Sequence, residues 1–291
     1  MDSKIIKKDT TNSKNNSKKK NSFTKNGGGK NNNNNNKVYL NKSNISLIKN
    51  SKLLSNIKDA PTYTYEGGEG FQCVRLKLKP GQSIRADAGT MNYMSSDIDI
   101  STQTGNVWGA FGRMLSGTSF FYNIFTNKGK REVHINLSGI NPGNIGAFYI
   151  PKGQSLNLVS SSYICSTPNL EISSNVRLGG LLTGYGISFV NISAHETDGI
   201  VWGAAFGNVI EKNIKPGDSL VIDNGVIMGF EANTEIHTDV MRGFTSMLFS
   251  GEGLVSKITN NNKSKNLKMF LQSRSKTAYL SYLKNKLRNR K

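Results

Sequence analysis

The 291-residue sequence contains three histidines, His134, His195 and His237, and His237 lies between two acidic residues in an alternating pattern. The segment "EIHTD" places Glu235, His237 and Asp239 at alternate positions. On a strand, these side chains would point to the same side, where two carboxylates and an imidazole could bind a metal ion or transfer a proton. The same alternation is also typical of a solvent-facing strand surface. These three residues are the candidate metal site.

No other segment has the spacing of a catalytic or cofactor motif. The glycine-rich run "GGLLTGYG" at residues 179–186 lies between strand-like segments, without the helix that a phosphate-binding loop requires. Neither a GxSxG nor an HExxH pattern is present. The sequence therefore assigns no catalytic residue and no cofactor, and it favours a protein that is not an enzyme.

The two cysteines, Cys73 and Cys165, lie in apolar, strand-like runs and form no CxxC pair. This spacing argues against a disulfide framework and against a structural zinc site. We expect two buried free thiols, the usual state of an isolated cysteine in an apolar run.

The net charge of +19 is concentrated at the two ends of the chain. Residues 1–60 carry 14 lysines against 3 acidic residues, and residues 257–291 carry 11 basic residues and no acidic one. Residues 61–256 have 13 basic against 16 acidic residues. Basic ends suit nucleic acid or an anionic membrane surface, whereas the middle of the chain does not favour either.

The first 60 residues have the composition of a tail. Residues 1–44 consist mainly of Asn, Lys, Ser and Gly, too few apolar side chains to order a segment, so we expect disorder. Residues 37–58 space Leu40, Leu47, Ile48, Leu54 and Ile57 loosely like one helix face, which could serve as a mitochondrial targeting segment. The alternative is a generic basic tail.

The chain contains neither a secretory signal nor a run of apolar residues long enough to span a membrane. We therefore expect an intracellular protein that is not secreted, located in the mitochondrion or the cytosol.

From residue 61 the sequence changes to short apolar alternations separated by turn residues, the pattern of an all-β domain. One turn is written three times, as "KPGQS" at residues 79–83, "PKGQS" at 151–155 and "KPGDS" at 215–219. Proline followed by glycine suits the centre of a type II turn. We expect each turn to open a hairpin, and Asn224-Gly225 is a strong two-residue hairpin signal.

A second marker recurs in the same order, as "MLSG" at residues 114–117, "LLTG" at 181–184 and "LFSG" at 248–251. Two ordered markers indicate one supersecondary unit that packs against two copies of itself. We predict an all-β fold, a pseudo-threefold β-sandwich or prism of three similar units. The predicted boundaries are 1–60 for the tail, 61–275 for the β domain with repeats at about 65–145, 146–209 and 210–275, and 276–291 for a basic amphipathic helix.

The C-terminal helix is predicted from "SKTAYLSYLKNKLRNRK", in which Ser275 could cap the helix and Tyr279, Leu280, Leu283 and Leu287 share one face. The helix either docks on the β domain or contacts a membrane surface or nucleic acid.

Several ordered motifs resemble the family named for altered inheritance of mitochondria protein 24, a mitochondrial biogenesis family with uncharacterised prokaryotic relatives. They are "LSGTSFF" at residues 115–121, "PGDSLVIDNG" at 216–225, "SGEGLV" at 250–255 and "LQSRS" at 271–275. The similarity extends from about Tyr65 to Leu283. At residues 259–266, "TNNNKSKN" replaces the family's Gly-Pro-Gly turn, which suggests a longer hairpin there.

The resemblance implies three similar β units, as in folds like that of the tryptophan RNA-binding attenuation protein, and it implies no catalytic activity. Eukaryotic relatives are linked to mitochondrial inner-membrane organisation. The first hypothesis is therefore a non-enzymatic binding or scaffold protein with an unknown protein partner or self-association. The alternatives are nucleic-acid binding through the basic tails and a metal-dependent enzyme built on Glu235, His237 and Asp239.

Overall fold

The alternation in "CVRLKLK" produces a strand at Cys73–Leu78, in which Val74, Leu76 and Leu78 are buried and the residues between them are half-buried. The structure is a computed structural model that describes residues 45–48, 54, 57, 59–102, 122–173, 187–232, 236–239 and 255–288. Within these residues, all strand pairs between named strands are antiparallel, and the chain is mostly β-structure with one C-terminal helix.

The strands fall into three successive groups of six, preceded by two short strands and followed by the helix. The two preceding strands are β1 (Ser46–Leu47) and β2 (Thr62–Glu66). Unit 1 contains β3 (Cys73–Leu78), β4 (Ser83–Asp87), β5 (Met91–Met94), β6 (Ile98–Thr102), β7 (Tyr122–Asn127) and β8 (Val133–Leu137). Unit 2 contains β9 (Ile145–Ile150), β10 (Ser155–Val159), β11 (Tyr163–Ser166), β12 (Glu171–Ser173), β13 (Phe189–Ser193) and β14 (Gly199–Ala204). Unit 3 contains β15 (Val209–Ile214), β16 (Ser219–Asp223), β17 (Ile227–Glu231), β18 (Ile236–Asp239), β19 (Val255–Asn260) and β20 (Leu267–Gln272), and helix α1 (Lys276–Arg288) follows.

The six strands of each unit pair in the same order. The first strand pairs with the sixth, and the sixth pairs with the third. The second strand pairs with the fifth, and the fifth pairs with the fourth. The pairing of third and sixth strands shifts register at the same place each time, between Met91 and Tyr93, Tyr163 and Cys165, and Ile227 and Gly229.

At two of the junctions between units, a strand of one unit pairs with a strand of the other, so the sheet is continuous. Strand β11 of unit 2 pairs with β4 of unit 1, and β17 of unit 3 pairs with β10 of unit 2. The corresponding strands of the remaining pair, β5 and β16, lie in separate sheets of the described structure.

The three predicted turns have the same backbone geometry. Gly81, Gly153 and Gly217 have φ values of +76°, +79° and +79°, a region that glycine adopts without strain. In each turn, the residue after the glycine donates its N–H to the carbonyl three residues earlier, at 2.9 to 3.0 Å. This geometry confirms the predicted turns.

The predicted hairpins after these turns are wrong. Asp223 accepts a hydrogen bond from the Gly225 N–H at 2.8 Å, which helps to stabilise a single 3₁₀ turn at Asn224–Val226. The chain thereby leaves the sheet of β16 and enters the sheet of β17. The hairpin expected at residues 259–266 is also wrong, because β19 and β20 belong to different sheets.

The β domain includes residues that the sequence assigns to the tail. Strand β1 pairs with β9, and the flanking Ile45 and Ile48 are buried, as are Leu54 and Ile57. Residue 45 therefore already belongs to the folded body, earlier than the predicted boundary at residue 61. Ser46–Leu47 is a strand, and not part of the expected helix face, because pairing on β9 buries both neighbouring isoleucines.

The second repeated marker, at residues 114–117, 181–184 and 248–251, lies outside the described residues, as does the tail at 1–44. In each unit this marker falls in the connection between the fourth and fifth strands.

Candidate functional site

Only part of the predicted metal site lies within the residues that the structure describes. His237 and Asp239 belong to β18, whose partners on β19 are Thr259 and Lys257. His237 and Asp239 therefore lie on one strand, whereas Glu235 lies outside the described residues. Among the residues that the structure describes, no group of three His, Cys, Asp or Glu side chains could hold a metal ion. The metal site stays a prediction.

The other two histidines lie in unlike settings. His134 is on β8, opposite Lys77, and its Nδ1 is buried without a partner among the described atoms. His195 is exposed, with Nε2 at 3.0 Å from a carboxylate oxygen of Glu171.

Glu66, at the end of β2, is the centre of a polar cluster that sequence reasoning missed. Its Oε2 accepts hydrogen bonds from the Tyr93 hydroxyl at 2.6 Å and from Asn136 Nδ2 at 2.8 Å. Its Oε1 lies 3.2 Å from Arg75 Nε. Two hydrogen bonds and one ion pair engage the carboxylate, so the cluster links β2, β3, β5 and β8.

Cys73 belongs to the same cluster, with Sγ at 3.3 Å from Asn136 Nδ2. It is half-buried, so the prediction that both cysteines are buried is correct only for Cys165. Burial raises the pKa of the Cys165 thiol well above its ordinary value, which keeps it protonated and unreactive. Both thiols are free, as predicted.

Helix α1 begins where the sequence predicts it. Ser275 Oγ accepts a hydrogen bond from the Ala278 N–H at 3.3 Å, and the Ser275 carbonyl accepts one from the Tyr279 N–H at 3.1 Å. The cap lies directly against the turn at Gly225, because a Cβ atom on that glycine would collide with Ser275 Oγ. The first turn of the helix is therefore fixed to unit 3.

The apolar side chains of α1 remain exposed. Tyr279, Leu280, Tyr282, Leu283 and Leu287 are between 37% and 68% exposed, and the helix has no buried residue. Their spacing of three and four residues places most of them on one side. Basic residues flank them at Lys276, Lys284, Lys286 and Arg288, and no acidic residue occurs after Glu252. A cationic helix with an exposed apolar side has the composition of a membrane-surface helix.

A groove of about 450 Å³ lies between α1 and the body. Its walls combine the apolar side chains of Val159, Ile187, Ile227 and Leu280 with the amines of Lys276 and Lys284. No helix among the described residues is long and apolar enough to cross a membrane.

The fold and this surface define an all-β protein built from a repeated six-strand pairing and carrying a basic amphipathic helix. A family model described as mitochondrial biogenesis AIM24 matches residues 63–262. The chain belongs to this AIM24 family, as the resemblance predicted.

Two bacterial proteins are similar to this chain. An uncharacterised protein of Streptococcus pyogenes serotype M6 is 24% identical over 218 residues, which cover 72% of this chain and 84% of the relative. The crystal structure of another Streptococcus pyogenes protein superposes with a TM-score of 0.60 at 20% identity. That match covers 78% of this chain and 99% of the bacterial one, and it shows a shared fold.

Proposed function

We propose that this protein is a non-enzymatic binding or scaffold protein that attaches to an anionic membrane surface through α1. The observation that carries the proposal is the exposed apolar side of α1 with basic residues along its flanks. Burying one leucine in the acyl region contributes about 1.5 to 3 kcal/mol, and each nearby lysine or arginine adds about 1 kcal/mol on an anionic surface. The family description, mitochondrial biogenesis, supports a mitochondrial role, and the proposal adds the inner-membrane organisation that the sequence resemblance implies.

Membrane binding fits α1 better than nucleic-acid binding does. Contacts to phosphate groups would use the lysines and arginines but would leave Leu283 and Leu287 exposed to water. A bilayer engages both features at once, with apolar side chains at the acyl boundary and amines at the head groups. Nucleic-acid binding through the basic ends is the alternative, and the experiment below distinguishes it from membrane binding.

The test is flotation of the full chain with vesicles of phosphatidylcholine, with and without phosphatidylglycerol. We expect binding to the anionic vesicles, and a loss of about tenfold or more for Leu287→Asp, since an apolar contact becomes a repelled charge. Ile140→Asp is the matched control, because Ile140 is 80% exposed but lies in a loop remote in sequence from α1. The membrane proposal is wrong if Leu287→Asp keeps its vesicle binding. It is also wrong if neither protein binds vesicles and Leu287→Asp binds RNA as tightly as the unchanged protein does.

We also propose that the three units are related by a pseudo-threefold axis, in a prism like that of the tryptophan RNA-binding attenuation protein. Three matching hydroxyl pairs support it, since Oγ or Oγ1 atoms lie 2.8 to 2.9 Å apart in the pairs Ser83–Thr126, Ser155–Ser193 and Ser219–Thr259. The repeated strand pairing and its repeated register shift point to the same arrangement. On this axis, β5 and β16 are the strands that correspond to the paired strands of the other two junctions, and the described structure keeps them in separate sheets.

A further inference from the structure

The groove beside α1 combines features that belong to a ligand site. Lys276 and Lys284 line it from two positions on the helix, and Val159, Ile187 and Ile227 line it from units 2 and 3. Neither ammonium group forms an ion pair with any residue in the described part of the chain. Two unpaired cations beside an apolar wall form a site for an anion that carries an apolar chain.

The surroundings of Lys276 disfavour the charged form of its side chain. Burial lowers the pKa of its ammonium group below the ordinary value, because part of its hydration is lost. An anion in the groove would reverse this effect, since an opposite charge within a few ångströms stabilises the charged form.

Asn224 supplies the second polar feature of the groove. This residue is only 4% exposed, and its Oδ1 is buried without a hydrogen-bond partner among the described atoms. Such an acceptor costs roughly 1 to 3 kcal/mol unless a donor satisfies it. The turn that holds Asn224 is fixed by the bond from the Gly225 N–H to Asp223 and by the bond from Gln272 Nε2 to the Gly225 carbonyl at 2.8 Å. A ligand hydroxyl group would complete this site.

We propose that the groove binds one anionic glycerophospholipid. Its phosphate lies between Lys276 and Lys284, a head-group hydroxyl donates to Asn224 Oδ1, and the first part of one acyl chain lies against Val159, Ile187 and Ile227. A volume of about 450 Å³ accommodates the head group and the start of one chain, while the remaining lipid stays in the bilayer. This inference rests on the proposed function, because it names the lipid that the membrane-bound protein selects.

The test is isothermal titration of the full chain with dihexanoyl phosphatidylglycerol below its critical micelle concentration. We expect saturable binding, weakened at least fivefold by the double variant Lys276→Gln, Lys284→Gln. The control is Lys128→Gln, Lys130→Gln, which removes the same charge from two exposed lysines and should leave the affinity unchanged. Equal binding of dihexanoyl phosphatidylcholine, equal affinity for inorganic phosphate alone, or unchanged binding by the groove variant would each overturn the proposal.

The two proposals fail separately. Leu287 is not among the residues that line the groove, so Leu287→Asp should keep its affinity for the short-chain lipid while it loses vesicle binding. If the unchanged protein binds vesicles but not the short-chain lipid, the proposed lipid site in the groove is wrong, whereas the proposal that α1 binds the membrane surface is retained. If it binds the short-chain lipid but no vesicles, the membrane proposal is wrong and the groove binds a free anionic amphiphile.

Discussion

The ring of Tyr279 on α1 lies 5.4 Å from the ring of Phe206, centroid to centroid, at an interplanar angle of 44°. Phe206 belongs to the connection between β14 and β15, so this contact joins the helix to the body. An isolated helix of 13 residues is marginally stable in water, which makes such a contact important for α1.

Tyr279→Ala should therefore loosen α1 without unfolding the β domain. We expect faster amide hydrogen exchange across the helix and a change of about 1 kcal/mol or less in the free energy of unfolding, the usual contribution of one aromatic pair. Tyr282→Ala is the control, since Tyr282 stacks only with Lys286 of the same helix among the described contacts. Equal exchange in both variants would show that the ring contact does not hold the helix.

Asn260 should be one of the most sensitive polar positions of unit 3. Its Nδ2 donates to the Ile214 carbonyl at 2.8 Å and to the Lys265 carbonyl at 2.9 Å, and the side chain is buried. Asn260→Ala leaves both carbonyls without this donor and should lower the free energy of unfolding by about 2 to 3 kcal/mol in a urea titration. Ser219→Ala removes an exposed hydroxyl bond and should cost less than about 1 kcal/mol. Similar losses in the two variants would contradict this account.

The turns and the C-terminal helix could be predicted because each depends on neighbouring residues. Pro80-Gly81 determines its turn through the preferred φ of two adjacent residues, and Ser275 caps α1 through bonds to residues only three and four positions later. The prediction of a hairpin at Asn224-Gly225 is wrong, because a two-residue signal does not reveal that its flanking strands pair with β19 and β20 instead of with each other.

The polar cluster around Glu66 could not be predicted for a related reason. Glu66 and Asn136 are 70 positions apart in the sequence, and only the pairing of β3 with both β2 and β8 brings them together. The groove beside α1 likewise combines residues of two units and the helix, so no local pattern marks it.

Asp87 should make the stability of the protein depend on pH. Burial raises the pKa of its carboxyl from 3.8 to about 6, so the folded state binds more protons than the unfolded state between these values. The contribution of Asp87 to stability therefore falls as the pH rises through this interval.

Asp87→Asn removes the charge and keeps the oxygen that accepts the Ala88 N–H at 3.0 Å. We expect it to stabilise the protein by about 1 kcal/mol at pH 7. This value is smaller than the free energy that the whole pKa shift would give, because solvent screens a partly exposed group. At pH 4 the variant and the unchanged protein should be equally stable in urea titrations. A difference that is the same at both pH values would show that the carboxyl does not titrate in this range.

The most direct test of the membrane proposal is the depth of α1 in a bilayer. A fluorescent probe attached at Leu287→Cys, with Cys73→Ser as background, should be quenched by lipids brominated on their acyl chains in anionic vesicles. The same probe at Lys128→Cys should stay unquenched, because that exposed loop residue belongs to the β domain. Quenching at position 287 alone is the result that the account predicts. An unquenched probe at position 287, on protein that floats with the vesicles, would contradict it.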